Sequence, residues 1–224
     1  MIKKETSLLL ASQFPRRREL ISLLGLGFDA TSADVDESIL PDENPADYVL
    51  RLAESKARAS ARNAPDFGLV IGSDTAVVDA GEILGKPRDK SDAVSMLKQL
   101  RGRTHQVYTA VALYDPENNQ VLTELCISDV PMRNYSDADL ETYVQSGDPL
   151  DKAGAYAIQN AEFHPVESFN GCFASVMGLP LCHVARALKK MGVACDMELP
   201  QRCQASLLYE CTISDAVLRG ENIG

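Results

Sequence analysis

The chain alternates between two apolar rhythms. Residues 6–11, TSLLLA, form a continuous apolar run of strand length, and PRRRELISLLG after it predicts a helix with Pro15 at its first position and Gly25 or Gly27 near its stop. FDATSA predicts a second strand. From 45 to 63 the period becomes helical, with Val49, Leu52, Ala53 and Lys56 on one face. GLVIGSDTAVV, residues 68–78, is an apolar run interrupted by Ser73, Asp74 and Thr75, and DAGEIL predicts a tight turn at Ala80–Gly81. Residues 91–100 predict a helix with Ser91 as N-cap. Residues 104–114 and 120–132 alternate as two strands joined through DPENN. SDADLETYVQSG predicts a helix capped by Ser136, with Asp139 three residues on and Gly147 as its stop, and GLPLCHVARALKKMG predicts another capped helix. Strands and helices in this order imply a mixed α/β sheet. Residues 195–224 lose the pattern and read as an added C-terminal segment.

Composition narrows the function classes. At 224 residues and 45% hydrophobic content, one sizeable domain or two small lobes can be built. The 22 basic and 32 acidic side chains give a net charge of −10, which argues against general affinity for nucleic acid or anionic membranes. No apolar run nears the roughly 20 residues of a spanning helix. The apolar run Leu8–Ala11, after Lys3 and Lys4, is too short for a signal-peptide core. The six cysteines, at 126, 172, 182, 195, 203 and 211, contain no C-x-x-C pair, so free thiols in a cytoplasmic protein are the expectation and a zinc site is not.

Against this acidic background, local basic residues stand out. Arg16, Arg17 and Arg18 occupy a predicted first helical turn, where the helix dipole disfavours cations by about 0.3–1 kcal/mol each. Either they are solvated, or an anion lies among them on the free backbone N–H groups. Lys56 falls on an apolar helix stripe, so it either snorkels to the edge or points into a cleft. Asp74 closes the apolar LVIGSD, as a turn residue or as a metal ligand or general base at a strand end. With Glu37 of DVDES it would hold a magnesium ion between two carboxylates and phosphate oxygens. Lys86 in LGKP, Lys152 in LDKAG and Gln159 in AYAIQN complete the set. P-loop, G-x-S-x-G and paired-histidine patterns are absent, and His105 reads as structural.

These segments resemble the Maf family of nucleoside triphosphate pyrophosphatases. The resemblance is carried by LLLASQFPRRRELISLLGLGF, DVDES, YVLRLAESKARA, VIGSDTAVV, GEILGKPRD, AVSMLKQLRGRTHQVYTAVAL, DLETYVQSGDPLDKAGAYAIQ and VMGLPL, in family order over roughly residues 6–191. It implies an elongated mixed sheet flanked by helices, with two lobes and a central cleft, in a domain spanning 1–194. It also implies hydrolysis between the α and β phosphates, giving a monophosphate and pyrophosphate, with a divalent cation (Mg2+ or Mn2+) and a possible homodimer. The family's phosphate-binding motif falls on Ser12, Arg16 and Arg17, its lysines on Lys56 and Lys86, its acidic site residue on Glu37, and its proton acceptor on Asp74. Three specificity positions fall on Arg16, Thr75 and Gln159, a set similar to that of the group acting on dTTP, UTP and modified uridine triphosphates. The alternatives are a 7-methyl-GTP pyrophosphatase, or a nucleotide-binding regulator of cell division with little turnover. Where the family usually has serine, this chain has Phe14, so a helix N-cap hydroxyl is missing.

Overall fold

The structure is a computed structural model describing residues 7–224. Lys3, Lys4 and Thr6, on which parts of the N-terminal expectations fall, lie outside the described residues. β1 (Leu8–Leu10) is buried on both faces and leads into α1 (Pro15–Ser22), β2 (Phe28–Ala30) and the long α2 (Pro45–Asn63). β3 (Leu69–Asp79) turns into the short β4 (Glu82–Leu84) through Ala80 and Gly81, both at positive φ. α3 (Lys90–Leu100) then precedes the hairpin of β5 (Thr104–Asp115) and β6 (Gln120–Pro131), and α4 (Asp137–Ser146) follows. Single 3-10 turns at Asp148–Asp151 and Ala153–Ala155 lead to the short α5 (Phe173–Val176) and to α6 (Leu181–Lys190).

The predicted elements are present, with instructive differences at their ends. The second strand is only three residues long. α3 is capped by Asp89, whose carboxylate accepts from Asp92 N at 2.8 Å, and not by Ser91, which already lies inside the first turn. α4 has the full predicted capping box of Ser136 and Asp139, and ends at Gly147 in the left-handed region. α6 has no side-chain cap at Pro180, and its cap is C-terminal, where Val193 N reaches Leu188 O across Gly192. Residues 195–224, patternless in sequence, contain α7 (Leu199–Leu207) and α8 (Ser214–Arg219), which bury Leu199 and Val217 against the domain. Among the described residues, no helix is long and apolar enough to cross a membrane.

The sheet order is β2-β1-β3-β5-β6, with β4 added to β3. β2, β1 and β3 are parallel, whereas β3, β5 and β6 are antiparallel. At one end of the sheet, α1 and α6 cover one face over Leu10, Ile71 and Leu113, and α2 covers the other over Val49, Ala53 and Val70. At the far end α3 and α4 enclose a second core around Leu97, Val130 and Leu140. β3 and β5 run through both lobes. β1 stops pairing at Ile71, and β4 starts pairing at Val77. Between them, β3 has a strand neighbour on the β5 side alone, and this break in the sheet is where the cleft opens.

Candidate active site

Asp74 lies within that break. The sequence places it at a strand end, but β3 continues past it to Asp79, and Asp74 faces Ala110 of β5. It is the loss of the β1 neighbour, not the end of β3, that gives this mid-strand carboxylate access to a cavity. The cavity measures about 310 Å3. Asp74 remains only 7% exposed.

α2 delivers the cation. Lys56 Nζ donates to Asp74 Oδ1 at 2.6 Å and also lies 2.6 Å from Glu37 Oε1. The stripe therefore ends in the cleft, with the ammonium between two carboxylates. Gly72 makes this approach possible: a Cβ there would overlap the Ala53 carbonyl oxygen and sit 2.8 Å from Ala57 N. α2 and β3 thus touch backbone to backbone beside Lys56. Burial raises the Asp74 pKa above the ordinary carboxylate value, despite the opposing charges of Lys56 and Arg17. For Glu37, burial acts upward, but the Lys56 hydrogen bond and charge outweigh it and the pKa is lowered.

Glu37 comes from the irregular stretch between β2 and α2, which α2 holds at two points. Arg51 makes a two-pronged contact with Glu43, at 2.5 and 2.7 Å, and donates to Ser38 O at 3.0 Å. Tyr48 OH donates to Glu37 O at 3.1 Å. Neither Arg51 nor Tyr48 stood out in the sequence. The available signal was that Tyr48, Leu52 and Lys56 recur every four residues along one helical face.

The three arginines separate as their spacing requires. Pro15 is the first residue of α1 and no acidic residue occupies its first turn. Arg16 is half-buried and lines the cavity, and its side chain makes no hydrogen bond among the described residues. Arg17 is buried: Nε donates to Gly178 O at 2.9 Å and Nη2 to Thr75 Oγ1 at 3.2 Å. Arg18 is exposed and does not line the cavity. Phe14 caps the helix without a side-chain bond, and its ring lies 5.3 Å from Lys86 Nζ and 5.7 Å from Arg17 Cζ. An aromatic face thus stands where a cap hydroxyl is expected.

The remaining expected residues differ in placement. Lys86 is exposed at the cavity mouth. Lys152 lines the cavity, with its ammonium on Asp148 O, Asp148 Oδ1 and Asp151 Oδ1 at 2.5–2.9 Å. Ser12 is buried outside the cavity lining and accepts from Phe14 N at 3.3 Å, which shapes the turn into α1. Gln159 is exposed and lines a different cavity, on the far side of Met177. His105 is buried against Tyr156 OH at 2.8 Å, and burial lowers its pKa to about 4, so it is neutral at pH 7.

A profile of the family described as Maf-like protein matches residues 7–191. The chain belongs to the Maf family. Over 188 residues it is 48% identical to a dTTP/UTP pyrophosphatase of Hahella chejuensis, covering 83% of this chain and 92% of that protein. A dTTP/UTP pyrophosphatase of Anaeromyxobacter dehalogenans is 46% identical over 86% of this chain and 98% of its own length. One from Geotalea uraniireducens is 43% identical over 192 residues, again 86% and 98%. Among solved structures, the Ham1 protein of Staphylococcus aureus aligns at a TM-score of 0.41 and 15% identity, over 66% of this chain and 85% of that one. The Maf domain accounts for the cavity, β3 and α2, and α7 and α8 lie beyond the matched residues.

Proposed function

We propose that this Maf protein hydrolyses dTTP, UTP and modified uridine triphosphates to the nucleoside monophosphate and pyrophosphate. The observation that carries the reading is Lys56 held between Asp74 and Glu37 at the sheet break, inside a cavity that also takes Arg16, Arg17, Lys86 and Lys152. A cationic cleft in an acidic chain is built for a polyanion. The relatives, dTTP/UTP pyrophosphatases, point to the nucleotide.

Asp74 is placed as the general base. Its Oδ1 is bound by Lys56, and Oδ2 has no hydrogen bond among the described residues. That oxygen takes a proton from water as the water oxygen bonds to the α phosphorus. The α–β bridging oxygen leaves with the β and γ phosphates as pyrophosphate. Arg16 and Lys86, whose cationic heads are unpaired among the described residues, hold phosphate oxygens and the departing charge. Arg17, committed to Gly178 and Thr75, keeps the loop after α5 seated on β3 and contributes its charge.

A divalent cation fits the donor set. No group of three His, Cys, Asp or Glu side chains is arranged to hold an ion among the described residues. Glu37 and Asp74 each engage Lys56 through one oxygen. Mg2+ is commonly held by one or two carboxylates and completed by substrate phosphates. Glu37, through the oxygen free of Lys56, would hold it together with the substrate phosphates, leaving Asp74 Oδ2 for the proton, and when bound it would neutralise charge on the phosphate oxygens.

The deciding experiment measures pyrophosphate and UMP formed from UTP, with and without Mg2+. Equimolar UMP and pyrophosphate are expected, whereas UDP and orthophosphate would reject α–β cleavage. A stronger rate with 7-methyl-GTP than with any uridine or thymidine triphosphate would reject the substrate class.

A further inference from the structure

A second cavity of about 210 Å3 adjoins the first. Its floor is Leu20 of α1 and Leu23 just after that helix, and its outer wall is the end of α7, Ser206 and Leu207. The two cavities lie end to end along one helical face. Arg16 lines the first, while Leu20 and Leu23, four and seven residues on, line the second. At 1.5 Å rise per residue, Arg16 and Leu23 are about 10 Å apart along the axis. Met177 borders both cavities, and the consecutive residues Ile158 and Gln159 face one each. An unbranched, half-buried methionine is an adaptable partition.

The chemistry changes across that partition. The first cavity is cationic. The second has no cationic side chain in its lining and carries Glu19, which repels phosphate. Its walls are largely apolar, and Gln159 and Ser206 add an amide and a hydroxyl that make no hydrogen bond among the described residues. Such a site takes an uncharged, flat group with a hydrogen-bonding edge, as a nucleobase is. The first cavity, at about 310 Å3, is at the low end of the roughly 300–1,000 Å3 of small-molecule pockets, and the second adds room beside it. In the Geotalea relative the aligned 192 residues already cover 98% of the protein, leaving almost nothing to correspond to α7 and α8.

We infer that the segment after the Maf domain walls a nucleobase pocket, and that Ser206 at its rim is a base-selecting residue which these shorter relatives lack. The inference rests on the nucleoside triphosphate reading above. A variant of this exposed residue tests it. Ser206→Trp fills the pocket from its rim. It is expected to raise the KM for UTP by about tenfold, the scale on which hydrophobic pockets discriminate. Binding of inorganic tripolyphosphate, which has no base, should change by less than about twofold, within the usual tolerance of a surface substitution. The melting temperature should stay at the wild-type value. An unchanged KM for UTP in Ser206→Trp, or an equal loss of tripolyphosphate binding, would overturn the pocket. An inactive wild type would instead reject the triphosphatase reading, and the pocket with it.

Discussion

Asp74, Thr75 and Arg17 divide the site's work through their hydrogen bonds. Thr109 Oγ1 donates to Ser175 O at 2.8 Å and, at the longer 3.1 Å, toward Thr75 Oγ1. Thr75 Oγ1 also accepts from Arg17 Nη2 at 3.2 Å. Its acceptor sites are used within the protein, and Thr75 holds Arg17 in place. Thr75→Val should accordingly free Arg17 and lower kcat alike on UTP and CTP, whereas a change confined to UTP would give Thr75 a direct part in base reading. For Asp74, replacement by Asn keeps the shape and removes the proton acceptor, and kcat should fall by about 10²-fold or more. Burial raises the Asp74 pKa, and the base proposed here acts only when deprotonated. The acid limb of the wild-type rate profile should therefore lie above the ordinary carboxylate range and disappear in Asp74→Asn. A limb that survives in this variant would belong to another group. Arg16→Ala should raise KM and lower kcat, whereas Arg18→Ala, in a side chain that faces water, should leave both near wild type. Arg16, Lys56 and Asp74 were legible in the sequence because charge is conspicuous on an apolar pattern. The pairing of Thr75 was not, since it depends on Thr109 and Ser175, 34 and 100 residues further along the chain.

At the scale of elements, the site is made by α2 lying flat on β3. Gly72 permits that contact and is invisible to helix or strand periodicity. The sequence showed both elements and the stripe carrying Lys56. The register between them is set by one missing side chain, which only packing reveals. Gly72→Ala forces the two backbones apart at Ala53 and Ala57. An overpacked core typically loses about 1–3 kcal/mol. The loss in kcat should exceed what that destabilisation alone causes, because a shift of about 1 Å at a positioned group can cost about 10²-fold. Thermal unfolding and kcat measured at 25 °C separate the two effects, and a lower melting point with wild-type turnover would show that Lys56 is positioned by something else. Caps were read with similar unevenness. Ser136 and Asp139 stand at capping-box spacing and form it, whereas Ser91 was displaced by a carboxylate two residues earlier that the apolar pattern had left outside the helix.

Over the whole molecule, the Maf domain and its C-terminal segment are joined by a buried arginine. Arg186 of α6 pairs both Glu124 oxygens through Nε and Nη2, and its Nη1 donates to Val217 O at 3.0 Å and Glu221 O at 2.7 Å. Lys190 adds a bond to Glu124 at 3.0 Å. One guanidinium thus ties β6, α6 and the chain from α8 onward. Sequence periodicity had no access to this link, because Glu124 reads as an ordinary polar position of an alternating strand and residues 195–224 carry no pattern of their own. Their helices are specified by the surface they land on. Removing one partner of a buried pair leaves the other charge unpaired, at about 3–5 kcal/mol. Glu124→Gln keeps one carbonyl acceptor, so its cost should lie toward the lower end of that range. The pH dependence follows from the lowered pKa of Glu124: burial acts upward, but the hydrogen bonds and charges of Arg186 and Lys190 outweigh it. A depressed folded-state pKa gives stability that is fully present above the unfolded value of 4.5 and is lost as pH falls through the folded value. The gap in melting temperature between wild type and Glu124→Gln should therefore be widest near neutral pH and narrow below about pH 4.5. Amide exchange at residues 214–224 should rise in the variant while β3 and β5 keep their protection, because the tie anchors the tail and not the sheet. A constant gap down to acid pH, or loss of protection spread evenly over the sheet, would show that Arg186 and Glu124 stabilise the domain as a whole and do not act as the tail's anchor.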